Sequence, residues 1–444
     1  MFFLLFLMSD KDKEKIGYVR KVYYVCKNDS IMKKWICTMI CLLAALNGVY
    51  AQLLVMGVVK DKQTKAELAN VNVAVQGTSM GTVTNADGVF SLKVSSADMN
   101  RQLSVSHVGY RNALVPLERL AAEEDGKRYV VWMEPSSISL GEISIFGGSP
   151  ADLVERAISK LADDYPKDAH QFSAFYRETI QKGRRYIGVS EAVADVYKTG
   201  YRVRDISHDR VQLQKGRRIQ SQKRSDTLAV KIMGGPNIAA YLDAAKNSDD
   251  LLTADMLQLY HFQMLIPTNV DGRMHYAVGF QPRVSLDYAL YRGVLYIDQE
   301  SLTISRAEYE LDMSDRNKAT RYILRKKPTG LRFKPQAMTF LVNYRRQGGR
   351  SYLHYVRSEI RFKCDWRKRL FSSTFTTTSE MVMVDRTDRP EERIRARDAF
   401  GRHEVFYDVV QEYWNEDFWR EYNIIEPTES LETAVKKLKR QQKK

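Results

Sequence analysis

Residues 55–117 read VMGVVKDKQTKAELANVNVAVQGTSMGTVTNADGVFSLKVSSADMNRQLSVSHVGYRNALVPL. Apolar residues alternate with polar ones in five short runs, at 55–59, 71–75, 89–94, 103–108 and 113–117. Period-two alternation puts successive side chains on opposite faces, and turn residues at short spacing join the runs into a small antiparallel sandwich. Asp87-Gly88 supplies the positive φ of a tight turn, and Gly109 suits a kink just after a strand. A sandwich without a catalytic constellation is a support or adhesion module, which tilts the reading away from an enzyme.

The residues that punctuate these strands come in a long ordered set. They are Gly57, Gly77-Thr78, Gly81-Thr82-Val83-Thr84, Asp87-Gly88 with Phe90, and Val108-Gly109-Tyr110. The set resembles the carboxypeptidase regulatory-like domain, a transthyretin-like β-sandwich. That resemblance implies a module found at the mature N-terminus of Gram-negative envelope proteins, TonB-dependent receptors among them, and one that is not itself a peptidase. The whole chain resembles Gram-negative envelope proteins built on this domain, and no established activity comes with that likeness.

Upstream, residues 32–51 read MKKWICTMICLLAALNGVYA. Two lysines, an apolar core too short to span a bilayer and small residues near Ala51 make a secretory signal peptide. Residues 1–31 are then expected to be an over-called start, with Gln52 the mature N-terminus. Cys41 follows Ile40 rather than a small residue, which argues against a lipid-modified cysteine. Of the four cysteines only Cys364 lies beyond residue 51, so the mature chain has no partner for a disulfide and no thiolate cluster. Cys364 shares a strand face with Ile360 and Phe362 and reads as a core thiol. No apolar run of about 18 residues follows the signal, so no transmembrane helix is expected in the mature chain.

Charge is placed unevenly. The chain carries +15 in all, residues 52–150 are near neutral, and residues 151–444 hold about +12. In an exported protein such basicity faces lipid phosphate, lipopolysaccharide or acidic glycan rather than nucleic acid.

The expected organisation is mainly β. A sandwich at 52–146 precedes a larger α+β domain at 147–426, with a curved antiparallel sheet and packed helices, and a basic amphipathic helix closes the chain at 427–444. Gly147-Gly148-Ser149-Pro150 is the linker, and a helix capped by Asp152 runs toward Pro166. Strands are expected at 185–197, 275–280, 291–297, 302–311, 319–326, 331–344 and 351–365, with helical turns at 237–246 and 254–259. The strands from Tyr276 to Glu308 loosely resemble the lipoprotein-carrier half-barrel, whose helices plug an apolar groove. Leu431, Val435 and Leu438 fall at helical spacing, with glutamates at the start and lysines at the end of the last helix.

Catalytic motifs are not evident. The seven histidines include no His-Glu-x-x-His, the Gly188-Val189-Ser190-Glu191-Ala192 stretch lies inside a strand, and Gly234-Gly235-Pro236 lacks a phosphate-loop lysine. No cofactor is expected. Candidate anion-binding residues are Arg325, Lys326, Arg345, Arg346 and Arg350, on basic hairpins interleaved with tyrosines, although Lys and Arg also protect exposed sheet edges. The reading is an exported, non-catalytic binding or scaffold protein of the periplasm or outer membrane. Its candidate partners are a lipid, lipopolysaccharide, an anionic glycan or an outer-membrane protein. The alternative is an envelope hydrolase of glycan or peptide, with its site in residues 151–426.

Overall fold

The computed structural model describes residues 52–121, 128–136, 146–202, 204–226, 228–247, 251–253, 255–366, 372–401, 404–414 and 422–442. The leader expected at 1–51 lies outside the described residues, and so do the alternating Ile143-Ser144-Ile145, His403, the basic Arg367-Lys368-Arg369 and the aromatic Phe418-Trp419.

The alternating runs at the start form two sheets. β1 (Gln52–Asp61), β4 (Val89–Ser95) and β7 (Tyr129–Met133) lie in the order β4-β1-β7. β2 (Asn72–Val75), β3 (Gly81–Val83), β5 (Gln102–Ser106) and β6 (Ala113–Pro116) lie in the order β3-β2-β5-β6, and the short helix α1 (Leu117–Ala121) follows β6. The inward residues Val55, Val59, Val73, Val75, Phe90, Leu92, Leu103 and Val105 make one core. One pair departs from the antiparallel expectation, because β7 runs parallel to β1 with Gly57 opposite Tyr129.

The glycines of the ordered set have physical work. A Cβ on Gly57 would stand 2.6 Å from the Phe90 ring. Gly88 turns with φ 71°, and a Cβ there would stand 2.6 Å from the Val59 carbonyl oxygen. Tyr110 donates its hydroxyl proton to Asp61 at 2.6 Å, tying the segment after β5 to the end of β1.

The helix after the linker starts earlier than expected. α2 (Pro150–Ser159) is capped by Ser149, whose side chain accepts from the Asp152 amide, and Asp152 reaches back to the Ser149 amide. Asp152 is therefore the third helical residue of a capping box, and Lys160 separates α2 from the turn α3 (Leu161–Asp164).

The larger sheet follows. Its strands are β8 (His170–Lys182), β9 (Arg185–Lys198), β10 (Arg210–Gln220), β12 (Tyr260–Met264), β13 (Thr268–Val270), β14 (Arg273–Pro282), β15 (Tyr291–Asp298), β16 (Ile304–Leu311), β18 (Leu331–Gln347), β19 (Arg350–Trp366) and β20 (Ser373–Asp388). They form one open antiparallel sheet in the order β10-β9-β8-β20-β19-β18-β16-β15-β14-β12, with β13 also on β14. β11 (Lys231–Ile232) and β17 (Leu324–Lys326) pair separately, and α4 (Pro236–Tyr241) lies between β11 and β12. The mainly β reading, with a sandwich and a large curved antiparallel sheet, is the observed fold class.

The segment 319–326, expected as a strand, is mostly helix. α5 (Arg316–Ile323) is capped by Asp315, whose carboxylate accepts from the Asn317 and Lys318 amides. Ala319 and Ile323, four apart, both point into the core, a spacing that also fits alternation over so short a run.

One face of the sheet is covered by α2, α4 and the turns after α4. Tyr165, Tyr201 and Tyr344 are wholly buried there beside Ala239, Ala240 and Leu252. A buried ionic lock holds the turns in place. Lys198 bridges Asp209 at 3.1 Å and Asp243 at 2.9 Å, and Lys246 binds Asp209 at 2.8 Å. On this face a void of about 10 Å³ remains beside Leu252 and Leu257.

Leu53–Val94 and the chain from Asp98 onward belong to one packed unit. The sandwich rests on the opposite face of the large sheet, where Val83 joins Phe175, Tyr355, Val382, Val384 and Ile425 in a small core. The turn α6 (Phe406–Val409) precedes the final α7 (Glu429–Gln442), which lies along β9 and β10 with Leu431 and Leu438 buried. Between them Ile424 and Ile425 pass under the sandwich, and Asn85 donates to the carbonyls of Glu426 and Pro427.

Candidate functional site

The face beneath the sandwich carries an ordered row of charge. Strand alternation sends Glu308, Leu341, Arg357, Glu380, Arg177, Glu191 and Arg217 to this side, one per strand. Register aligns them, with Glu308 opposite Leu341, Leu341 opposite Arg357, Arg357 opposite Glu380, Glu380 opposite Arg177, and Glu191 between Arg177 and Arg217. From Arg357 onward the signs alternate strand by strand, which is the favourable cross-strand pairing.

The inner end of the row is buried. Arg177 and Arg217 each reach Glu191 at 2.7 Å. Burial works against the Glu191 carboxylate, but the two guanidinium groups outweigh it and hold its pKa below the usual range. Arg177 also donates to the Ile425 carbonyl at 2.7 Å and to that of Glu426 at 3.4 Å. The row thus grips the tail that runs under the sandwich.

The outer end opens into a cleft of about 580 Å³. Arg292, Arg306, Glu308, Glu310 and Arg357 wall it, and Asn70 of the sandwich overhangs it. Arg292 donates to Glu310 at 2.6 Å, Arg306 to Glu308 at 2.5 Å and to Asn343 at 3.0 Å, and Arg357 to Glu359 at 2.7 Å. Burial opposes the Arg357 charge, but Tyr355, Glu380 and Glu359 around it raise its pKa. The Tyr355 hydroxyl donates to Glu380 at 2.8 Å and lies 3.2 Å from the Asn70 side-chain oxygen. These polar groups stand on paired strands and are held by neighbours, so they meet a ligand with little loss of side-chain freedom.

The five basic residues expected to bind anions fall into two groups, Arg325 with Lys326 and, at one hairpin, Arg345, Arg346 and Arg350. Arg325 and Lys326 lie at the Leu331 end of β18, whereas Arg345 and Arg346 lie at its other end, some 14 residues or roughly 46 Å along the strand. Arg345 is turned into the sandwich, donating to the Thr78 carbonyl at 2.7 Å and the Met80 carbonyl at 3.1 Å, and burial pushes its pKa down to about 10. A Cβ on Gly81 would stand 2.6 Å from this guanidinium, so the turn carrying Gly77, Thr78, Gly81 and Thr82 is the seat for Arg345. Arg346 is exposed, and Arg350 donates to the carbonyls of Tyr165 at 2.9 Å and Asp163 at 3.2 Å. Cys364 is buried, and burial raises its thiol pKa to about 11.

The charged row was missed in the sequence because its members lie as far apart as residues 177 and 380. The local signal was present in Arg306-Ala307-Glu308 and Arg357-Ser358-Glu359, charges two apart on a solvated strand face, but only register makes them neighbours. Among the described residues no group of three His, Cys, Asp or Glu side chains is arranged to hold a metal ion. No described helix is long and apolar enough to cross a membrane.

Residues 55–145 match the family model of the CarboxypepD_reg-like domain. No curated protein matches the chain. Among solved structures, a candidate outer-membrane lipoprotein-sorting protein domain from Vibrio parahaemolyticus is 10% identical, with a TM-score of 0.26, over 56% of this chain and 95% of that one. A DUF1329 family protein from Desulfovibrio piger is 13% identical, with a TM-score of 0.23, over 55% of this chain and 93% of that one. Likenesses this remote carry nothing about activity. The stretch that matches this family model is the stretch that folds as the two-sheet sandwich, so residues 55–145 are similar to a CarboxypepD_reg-like domain in both sequence pattern and fold.

Proposed function

We propose that the chain is an exported, non-catalytic binding protein of the cell envelope that holds an anionic glycan in the cleft below Asn70. The observation that carries this reading is the wall of the cleft. Three guanidinium groups and two carboxylates, pre-ordered on strands, offer planar donors and acceptors to sugar hydroxyls, and the N–H groups each guanidinium carries beyond its bond to a glutamate suit an acidic group on the ligand. The helix-covered face supports the choice of glycan over an engulfed acyl chain, since tyrosines and the ionic lock fill it.

The hydrolase alternative needs one carboxyl of a pair to hold a proton. Glu308 and Glu310 are two apart on one strand face, roughly 7 Å from each other, but each accepts a hydrogen bond from an arginine. That pairing favours recognition over proton transfer.

The test is calorimetric titration of the purified chain with lipopolysaccharide core oligosaccharide and with peptidoglycan fragments. One of these should bind, and Arg306→Ala should weaken it at least tenfold without release of reducing ends in either protein. Equal affinity of the two proteins would overturn the site, and steady release of reducing ends would overturn the non-catalytic reading.

A further inference from the structure

At the Leu331 end of the large sheet, far from Arg345, the loop 283–290 carries two apolar side chains into solvent. Val284 is 39% exposed and Tyr288 is 51% exposed. The loop does not hang free. Leu286 packs on the core behind it, the Arg283 amide donates to the Leu259 carbonyl at 2.8 Å, Lys318 reaches Ser285 at 3.0 Å, and Arg321 donates to the Asp287 carbonyl. The last two donors come from α5, so the loop and helix form one surface. β17 continues it directly, and Lys326 there sits opposite Lys231 of β11.

This surface is strongly cationic. Arg283, Arg316, Arg321, Arg325 and Lys326 are exposed and Lys318 is half-buried, against the carboxylates of Asp287, Asp312 and Asp315. Asp315 is already engaged in capping α5. The segment α5–β17 is also where the sequence pattern misled, since its basic residues read as a hairpin face and the fold gathers them instead around an apolar tip.

We infer that this end docks on an anionic lipid bilayer, with Tyr288 and Val284 entering the interface and the surrounding arginines and lysines meeting lipid phosphates. Tyrosine is suited to the boundary because its ring is apolar and its hydroxyl stays wet. Basic side chains near an anionic surface each add attraction that falls off within a Debye length. A preformed tip has little conformational freedom to lose on contact. The contact is peripheral and reversible, and none of Arg283, Val284, Tyr288 and Arg316 lines the glycan cleft, although Gln281 and Arg292 at the two ends of the loop do.

The experiment is co-sedimentation of the full chain with sucrose-loaded vesicles. One set contains phosphatidylglycerol and phosphatidylethanolamine, and the other phosphatidylcholine alone. Binding should be confined to the anionic set and weaken as salt rises. The variant Arg283→Ser/Arg316→Ser should lower the partition coefficient roughly 30-fold, from the usual contribution of two basic residues at such a surface. Tyr288→Trp should bind as the parent does, and the emission that the new indole adds should shift to the blue with anionic vesicles. Soluble glycerol phosphate should not compete, which separates a bilayer from a simple phosphate site. Equal binding to both vesicle sets, an unchanged partition for the double variant, or an added indole emission that does not move would each overturn the proposal. Glycan affinity is expected to be the same in all these variants, so loss of the membrane result and loss of the cleft result remain distinguishable.

Discussion

Arg177 is the residue on which the sandwich, the tail and the charged row converge, and replacing it with methionine tests the row most directly. Its side chain is 3% exposed and its partner Glu191 is 1% exposed. Removing the guanidinium leaves Glu191 with Arg217 alone and takes a donor from the Ile425 and Glu426 carbonyls. Breaking a buried pair by deleting one partner costs about 3–5 kcal/mol. Arg217 still neutralises part of the carboxylate, so Arg177→Met should cost about 3–4 kcal/mol, the low end of that range plus a share for the stranded carbonyls. The assay is urea unfolding followed by circular dichroism, in a double-mutant cycle with Glu191→Gln. The paired variant should lose less than the sum of the single losses by at least about 1 kcal/mol, because the glutamine no longer strands a charge. The folded Glu191 pKa is lowered, so its contribution is present above the unfolded value of about 4.3 and is lost as pH falls through the folded value. The gap between parent and Arg177→Met should therefore narrow below pH 4. A loss under about 1 kcal/mol, or strict additivity in the cycle, would refute the view that this row holds the tail in place.

Three further outcomes follow from single sites. His170 and His354 are buried, and desolvation lowers their pKa values to about 4 and about 3; their stabilising effect is complete above pH 6.5 and is lost as pH falls toward those values, so each should cost about 2 kcal/mol between pH 7 and pH 5, and His354→Gln should flatten that part of a thermal-melt profile unless the histidine is not buried neutral. Cys364 should resist iodoacetamide in the native chain at pH 8 and react fully in 6 M guanidinium, because its thiol is buried and its pKa stands near 11; rapid native labelling would contradict its place in the core. Gly88→Ala should destabilise the chain by about 2–3 kcal/mol, since φ is 71° and the new Cβ meets the Val59 carbonyl, and a neutral result in urea unfolding would mean that the turn relaxes.

The parts of the fold that were legible are those whose signal is local. The five alternating runs became β1, β2, β4, β5 and β6, within a residue or two at most ends, and the run of 331–344 and 351–365 became β18 and β19. The glycine set marked real turns and close approaches, and the heptad-like spacing of Leu431, Val435 and Leu438 became α7. Where local signals compete, the reading went astray. Residues 319–326 alternate weakly and also place Ala319 and Ile323 four apart, and the Asp315 cap decided for helix. The parallel strand β7 carries no mark of direction in its own residues, because orientation depends on the path of the chain before it.

The sequence alone determined the sheet period, the turn positions, the likeness of residues 55–145 to a known domain and the excess of positive charge beyond residue 150. Only the tertiary structure decided where that charge goes. It folded Arg345 into a seat on the sandwich, sent Arg325 and Lys326 to a distant apolar tip, and lined up Arg357, Glu380, Arg177, Glu191 and Arg217 from five strands into one row. The physical reason is that a side chain's face is set by its own strand, two residues at a time, whereas its neighbours are set by register between strands that lie far apart in the chain.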